Sequence, residues 1–228
     1  VVGRGQSDWL DIPEAYGYPQ YLADAAALLA RVTAPVPDGG LFGFLRRLIR
    51  GRRQLTIDWV GTSMGGLIGM MLASRKNCPI RRLVLNDVGP VIPASALQRI
   101  AAYVGKDPRF KTYEEFEAYI RLVSKPFGPL TDAQWRHLTL HSMRRFDDGT
   151  LGLGYDPAIG IPFRNGPLEE VNLWPVWDAV KSEILVLRGA ESDLLLHGVA
   201  KEMQTRGPGA RLVEFPGVGH APALMAED

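Results

Sequence analysis

The chain has 228 residues, 46% of them hydrophobic and 22% charged, with a formal net charge of +1. That suits one or at most two domains around a sizeable core, and the balanced charge argues against a polyanion partner such as nucleic acid. A single cysteine, Cys78, excludes an intramolecular disulfide and fits a reduced, cytoplasmic compartment, and no apolar run reaches membrane-spanning length.

In chain order, the glycine-rich turn Gly3-Arg4-Gly5-Gln6-Ser7-Asp8-Trp9 comes first, followed by an alanine- and leucine-rich helix predicted over Tyr21 to Val32. A breaker-rich linker, Thr33 to Gly40, leads into the basic amphipathic stretch Leu41 to Arg53. That stretch reads either as a membrane-surface helix or as a short surface helix with its apolar side on the sheet. Its shortness and the balanced overall charge favour the second. A strand is predicted at Thr56 to Val60, then Gly61-Thr62-Ser63-Met64-Gly65-Gly66, then a helix from Leu67 to Ala73. Another strand ends at Asn86-Asp87. From Val88 to about Val180 the sheet pattern gives way to helical segments around Ala94–Val104, Tyr113–Ser124 and Thr131–Phe146, followed by an irregular glycine- and proline-rich passage. The strand Glu183 to Gly189 precedes the loop Ala190-Glu191-Ser192-Asp193. The strand Arg211 to Phe215 precedes the loop Pro216-Gly217-Val218-Gly219-His220-Ala221-Pro222.

Ser63 stands where a strand turns into a helix, within a G-x-S-x-G pattern. This is the arrangement of a nucleophile elbow, in which a strained turn exposes the hydroxyl and the glycines spare collisions expected of side chains at Gly61 or Gly65. The N–H of Met64, at the new helix terminus, faces the position where an oxyanion would form. A serine needs a histidine base and a carboxylate to orient it. His220 lies in a glycine-rich loop suited to the first role. For the second, Asp193 is the preferred reading because it stands where the chain leaves the sheet and approaches a helix, with Glu191 and Asp87 as rivals. His137 and His141 lie one helical turn apart without a carboxylate or cysteine to complete a metal set, and His197 reads as a helix surface residue. The chemistry needs neither metal nor organic cofactor.

With its elbow at Gly61–Gly66, its acid loop at Arg188–Leu195, its histidine loop at Gly217–Pro222 and its Gly-x-Gly-x-Ser-Asp turn at Gly3–Asp8, the chain resembles the α/β-hydrolase superfamily. Within it, the likeness is to bacterial cap-bearing serine esterases and carbon–carbon-bond hydrolases. The resemblance implies a doubly wound, mostly parallel α/β sheet with a helical cap insertion. It implies a core at residues 1–87 and 181–228 and a cap at 88–180. It also implies strands and a His-Gly type loop ahead of the first glycine turn, which supply the other oxyanion donor, and a final helix after the histidine loop; neither stands in this chain, which reads as a piece of a longer enzyme. The expected activity is acyl transfer from a small ester to water through Ser63. Carbon–carbon cleavage of a vinylogous diketone is one alternative, and a non-catalytic binding protein or inactive fragment the other. A serine nucleophile argues against the dehalogenase and epoxide hydrolase branches, whose intermediate requires a carboxylate. An insertion leaving after Asp87 and returning before Glu183 must lie over the catalytic groups, so Trp135, Tyr155, Phe163, Trp174 and Trp177 are candidate substrate-lining residues.

Overall fold

A computed structural model describes residues 1–34 and 55–225. The amphipathic stretch Leu41 to Arg53 lies outside the described residues. Four parallel strands form the central sheet in the order β1 (Ile57–Thr62), β2 (Ile80–Asn86), β7 (Glu183–Gly189) and β8 (Arg211–Phe215). The two inner strands are the most buried: Leu83, Leu85 and Val186 are fully shielded, as expected for strands covered on both faces. Each such side chain contributes about 1.5–3 kcal/mol by leaving water.

Helix α1 (Tyr18–Thr33) packs on α2 (Met64–Ala73), and α2 packs in turn on β1 and β2. The α2 sequence is apolar nearly all round and buries Leu67, Ile68, Met70 and Leu72. The indole N–H of Trp59 on β1 donates to the carbonyl of Gly65 at 3.0 Å and fixes the angle between strand and helix. Because the strands are parallel, Thr62, Asn86, Gly189 and Phe215 all end at the same edge of the sheet, and the loops that follow them meet there.

Between β2 and β7 lie α3 (Ala94–Ala101), α4 (Tyr113–Val123) and α5 (Asp132–Ser142). Full capping boxes open α4 and α5: Thr112 with Glu115, and Thr131 with Gln134. These helices are shorter than the sequence pattern suggests. α5 stops at Ser142 because Met143–Arg145 forms β4, which turns through Asp148 and Gly149 to pair antiparallel with β5 (Leu151–Leu153). Asp148 accepts from the Thr150 N–H and hydroxyl, and Gly149 adopts φ +82°, so side-chain hydrogen bonding and a left-handed residue end the helical run. A second ribbon pairs β3 (Val91–Ile92) with β6 (Val171–Asn172).

Two hydrophobic cores result. The main one surrounds the sheet and includes α6 (Trp174–Ala179), which packs on α2. The smaller one, within the insertion, joins Phe116, Ile120, Trp135 and Leu151. The N-terminal loop is stitched to the insertion by Gly5 N–H to Gly154 O (2.8 Å) and Asp156 N–H to Gly3 O (2.8 Å). Helix α7 (His197–Thr205) covers β8. No helix among the described residues is long and apolar enough to cross a membrane.

Candidate active site

Ser63 connects β1 to α2 with φ 51° and ψ −120°, a conformation that costs a non-glycine residue about 1–3 kcal/mol and persists only when its surroundings impose it. They do so through Ser63 N–H to Asn86 O (3.0 Å) and through the N–H groups of Gly66 and Leu67, which both return to Ser63 O. A Cβ on Gly61 would collide with the Gly65 carbonyl, which accounts for that glycine. Gly65 differs from the expectation: a Cβ there would meet nothing within 4 Å. The second steric requirement falls on Gly66, where a Cβ would lie 2.5 Å from Val88 Cγ1 and 2.9 Å from Gly61 O.

The Ser63 hydroxyl lies 3.0 Å from His220 Nε2, and His220 Nδ1 lies 2.8 Å from Asp87 Oδ2. The carboxylate that meets the histidine is therefore Asp87, which follows β2, rather than Asp193. Asp87 is fully buried, and it also accepts from the Gly189 N–H (2.9 Å) and the Ser192 hydroxyl (2.5 Å). An ionised carboxylate only accepts, so Nδ1 carries the imidazole proton and Nε2 is left as the acceptor for Ser63. Asp193 is turned away from this array: it stands four residues beyond β7, half exposed, and binds Arg99 through Nε (2.5 Å) and Nη2 (2.8 Å). Glu191 is exposed.

Two residues that sequence reasoning passed over complete the support. Ser192 donates to Asp87 while its oxygen receives the N–H groups of Leu194 and Leu195 (3.2 and 3.1 Å). Asn86, 1% exposed, donates to Thr62 Oγ1 (3.0 Å) and to Pro222 O (2.9 Å), tying the histidine loop to the sheet. The available signal was a polar Asn-Asp pair closing a strand whose other C-terminal residues are apolar, a placement that burial makes costly unless the side chains find partners, as the Asn86 amide N–H groups and the Asp87 carboxylate do. The histidine loop is also held from the insertion side, by Gly219 N–H to Pro126 O (2.7 Å).

Three cavities adjoin these groups. One of about 480 Å³ runs from Ser63 and His220 between α2 and the insertion, walled by Leu67, Met71, Val88, Ile100 and Phe163. A second, about 330 Å³, meets the same two residues from another side, bordered by Arg4, Tyr119 and Tyr155. A third, about 760 Å³, reaches only His220 and is bordered by Arg99, Lys125, Glu191 and Asp193. Burial pushes the Tyr155 hydroxyl up to about 12, against the opposing pull of the Arg4 charge; burial raises Tyr21 as well, again opposed by Arg4.

A model described as the alpha/beta hydrolase family matches residues 3–228. The chain belongs to this family. A 3-hydroxybutyrate-oligomer hydrolase from Cupriavidus necator is 42% identical over 233 residues, covering 99% of this chain and 73% of that protein. A solved alpha/beta hydrolase from Novosphingobium aromaticivorans is 35% identical, with a TM-score of 0.80, and is matched over 99% of this chain and 73% of that one. An esterase from Mycobacterium tuberculosis, 22% identical and covered over 96% of this chain and 66% of that one at a TM-score of 0.61, shares the fold.

Of the aromatic residues singled out from the hydrolase sequence, Phe163 borders the first cavity and Tyr155 the second. The tryptophans do not line any of the three cavities. Trp135 is in the small core of the insertion, where its flat face packs under Arg121. Trp174 and Trp177 belong to the main core; the Trp177 indole donates to Arg206 O at 2.9 Å, and the Arg206 guanidinium covers Trp174. Large aromatics gain most from burial, and these three serve the cores rather than the cavities. His137 and His141 stack on each other on the exposed face of α5, and His197 pairs with Glu214 at the surface.

Proposed function

We propose that this hydrolase cleaves carboxylic esters by acyl transfer to Ser63 and then to water. The observation that carries the reading is the continuous Ser63–His220–Asp87 hydrogen-bonded array on a strained strand-to-helix turn. His220 Nε2 takes the Ser63 proton as the oxygen attacks the ester carbonyl, and the C–O bond to the alcohol breaks as His220 returns that proton to the leaving oxygen. A water molecule, deprotonated by the same nitrogen, then attacks the acyl-serine, releasing the acid and restoring the hydroxyl. Asp87 holds the ring in the required tautomer and stabilises its protonated form. The Met64 N–H begins α2 without a hydrogen-bond partner among the described residues and serves the carbonyl oxygen as it becomes negative.

Residues 1–87 and 181–228 supply the reacting groups, and 88–180 act as a cap that selects what reaches them. The apolar wall of the first cavity suits a short aliphatic acyl group, and the 42% identical relative is named for hydrolysis of 3-hydroxybutyrate oligomers. Short aliphatic oligoesters are accordingly the proposed substrate class. The non-catalytic reading is opposed by the completeness of the array, because a binding protein has no use for a strained serine aligned with a buried acid–histidine pair.

Ser63→Ala is expected to abolish hydrolysis of both a short nitrophenyl ester and a 3-hydroxybutyrate dimer, with an unchanged thermal transition. A fluorophosphonate probe should label the unaltered chain at Ser63. A folded protein that resists the probe, or a Ser63→Ala variant that retains turnover, would remove the reading.

A further inference from the structure

We infer that Arg4 binds a free carboxylate on the substrate, so that this hydrolase acts on ester chains from their acid end. The inference rests on the ester-cleaving reading and narrows its substrate class to anionic esters.

Arg4 borders both cavities that open on Ser63. Its Nε is buried without a hydrogen-bond partner, and among the described residues no carboxylate oxygen comes within ion-pair distance of its guanidinium. The acid next to it in the fold, Asp156, is already committed: one oxygen accepts from the Tyr16 hydroxyl (2.7 Å) and the other from the Ala158 N–H (2.9 Å). The other guanidinium at the second cavity, Arg99, is neutralised by its two-pronged contact with Asp193. A cation partly withdrawn from water, with a polar nitrogen left unmatched, is unfavourable unless something anionic completes it.

The backbone that carries Arg4 is firmly mounted. Residues 3–5 are bonded to 154–156 by two backbone hydrogen bonds, and Arg4 forms a bridge with Tyr155. Gly3 has φ +77° and lies against the Tyr16 ring, which is held by Asp156 and by the Leu10 N–H. The planar fork of an arginine fits a carboxylate through two parallel hydrogen bonds. A hydroxyacid oligoester carries one carboxylate at one end only. Engaging it beside Ser63 presents an ester near that end to the hydroxyl, and a mid-chain ester is not selected. Each cycle then shortens the chain from its acid terminus by a fixed number of units.

The test compares a 3-hydroxybutyrate dimer as the free acid and as its methyl ester, with a nitrophenyl butyrate assay in parallel. In the unaltered enzyme the free acid is expected to have the higher kcat/KM, by about 10- to 100-fold, expressed mainly in KM. In Arg4→Met that preference should collapse, and Arg4→Lys should restore part of it. Free 3-hydroxybutyrate should compete with nitrophenyl butyrate in the unaltered enzyme, whereas its methyl ester at the same concentration should compete much less. This last measurement needs no variant to fold. Equal kcat/KM for acid and methyl ester, equal inhibition by the two, or a preference unchanged in folded Arg4→Met would each overturn the assignment. Absence of turnover on nitrophenyl butyrate would instead defeat the ester-cleaving reading itself.

Discussion

Asp87 adopts φ 55°, an uncommon conformation for a non-glycine residue, and it accepts three hydrogen bonds while wholly shielded from water. An asparagine at this position could not accept from both the Ser192 hydroxyl and His220 Nδ1–H through an NH₂ group, so the imidazole would be held in the wrong tautomer. Asp87→Asn is therefore expected to lower kcat by about 10⁴-fold. Asp193→Asn, which removes a half-exposed pair with Arg99, should change kcat by less than about tenfold. Measuring kcat for both on one nitrophenyl ester decides between the two carboxylates; a crippled Asp193 variant beside an active Asp87 variant would reverse the assignment. In the sequence, Ser63 and His220 were legible because each sits in a short pattern of glycines with few other uses. The carboxylate that meets His220 was not, because β2 and β7 are neighbours and either strand end can present a carboxylate to the same loop. Burial and backbone conformation separate Asp87 from Asp193, and neither is visible in residue order.

At the level of elements, β7 and β8 are tied by more than their backbone ladder. Arg188 on β7, 5% exposed, donates from Nη1 to Glu214 on β8 at 2.6 Å and from Nε to Leu195 O at 2.7 Å. The contact with His197, followed by that with Arg188, holds the Glu214 carboxyl below its ordinary range. A depressed folded value means that the stabilisation is complete above the unfolded value, 4.5, and is lost as the pH falls through the lower folded one. Glu214→Gln should accordingly lower the thermal midpoint at pH 7, and the gap from the unaltered chain should close as the pH is taken below about 4. Calorimetric melts across pH 3–7 measure it; a gap that widens toward acid would contradict the argument. Both strands were legible as short apolar runs bounded by turn residues. The ribbons β3–β6 and β4–β5 were not, since two or three residues are too few to display an alternation. Their pairing depends on the Asp148–Thr150 turn and on contacts distant in sequence.

For the molecule as a whole, two cores imply two degrees of independence. Phe116 is fully buried in the small core of the insertion and does not line any of the three cavities. Phe116→Ala should cost about 3–5 kcal/mol in that core. Because the main core does not share Phe116, hydrogen exchange should accelerate over α4 and α5 while the amides of β2 and β7 stay protected. Uniform acceleration over both would mean that the cores unfold as one. The presence of a large insertion between sheet strands followed from where apolar runs stop and resume; the order of the strands did not. Nor did the allocation of the tryptophans between cavities and cores, because an aromatic residue in an insertion has the same composition signal in either place.

Asp87 precedes the insertion and His220 follows it, so 133 positions separate two groups that share a 2.8 Å hydrogen bond. This spacing has a consequence for timing during synthesis. A ribosome releases Ser63 and Asp87 together on adjacent strands, then the whole insertion, and only after it His220. Until the histidine loop docks on Asn86 and Pro126, the Ser63 hydroxyl has no imidazole within hydrogen-bond reach, and under the proposed mechanism the nascent chain stays silent toward esters. Under the proposed mechanism, the onset of activity thus marks the moment when the histidine loop has found its place.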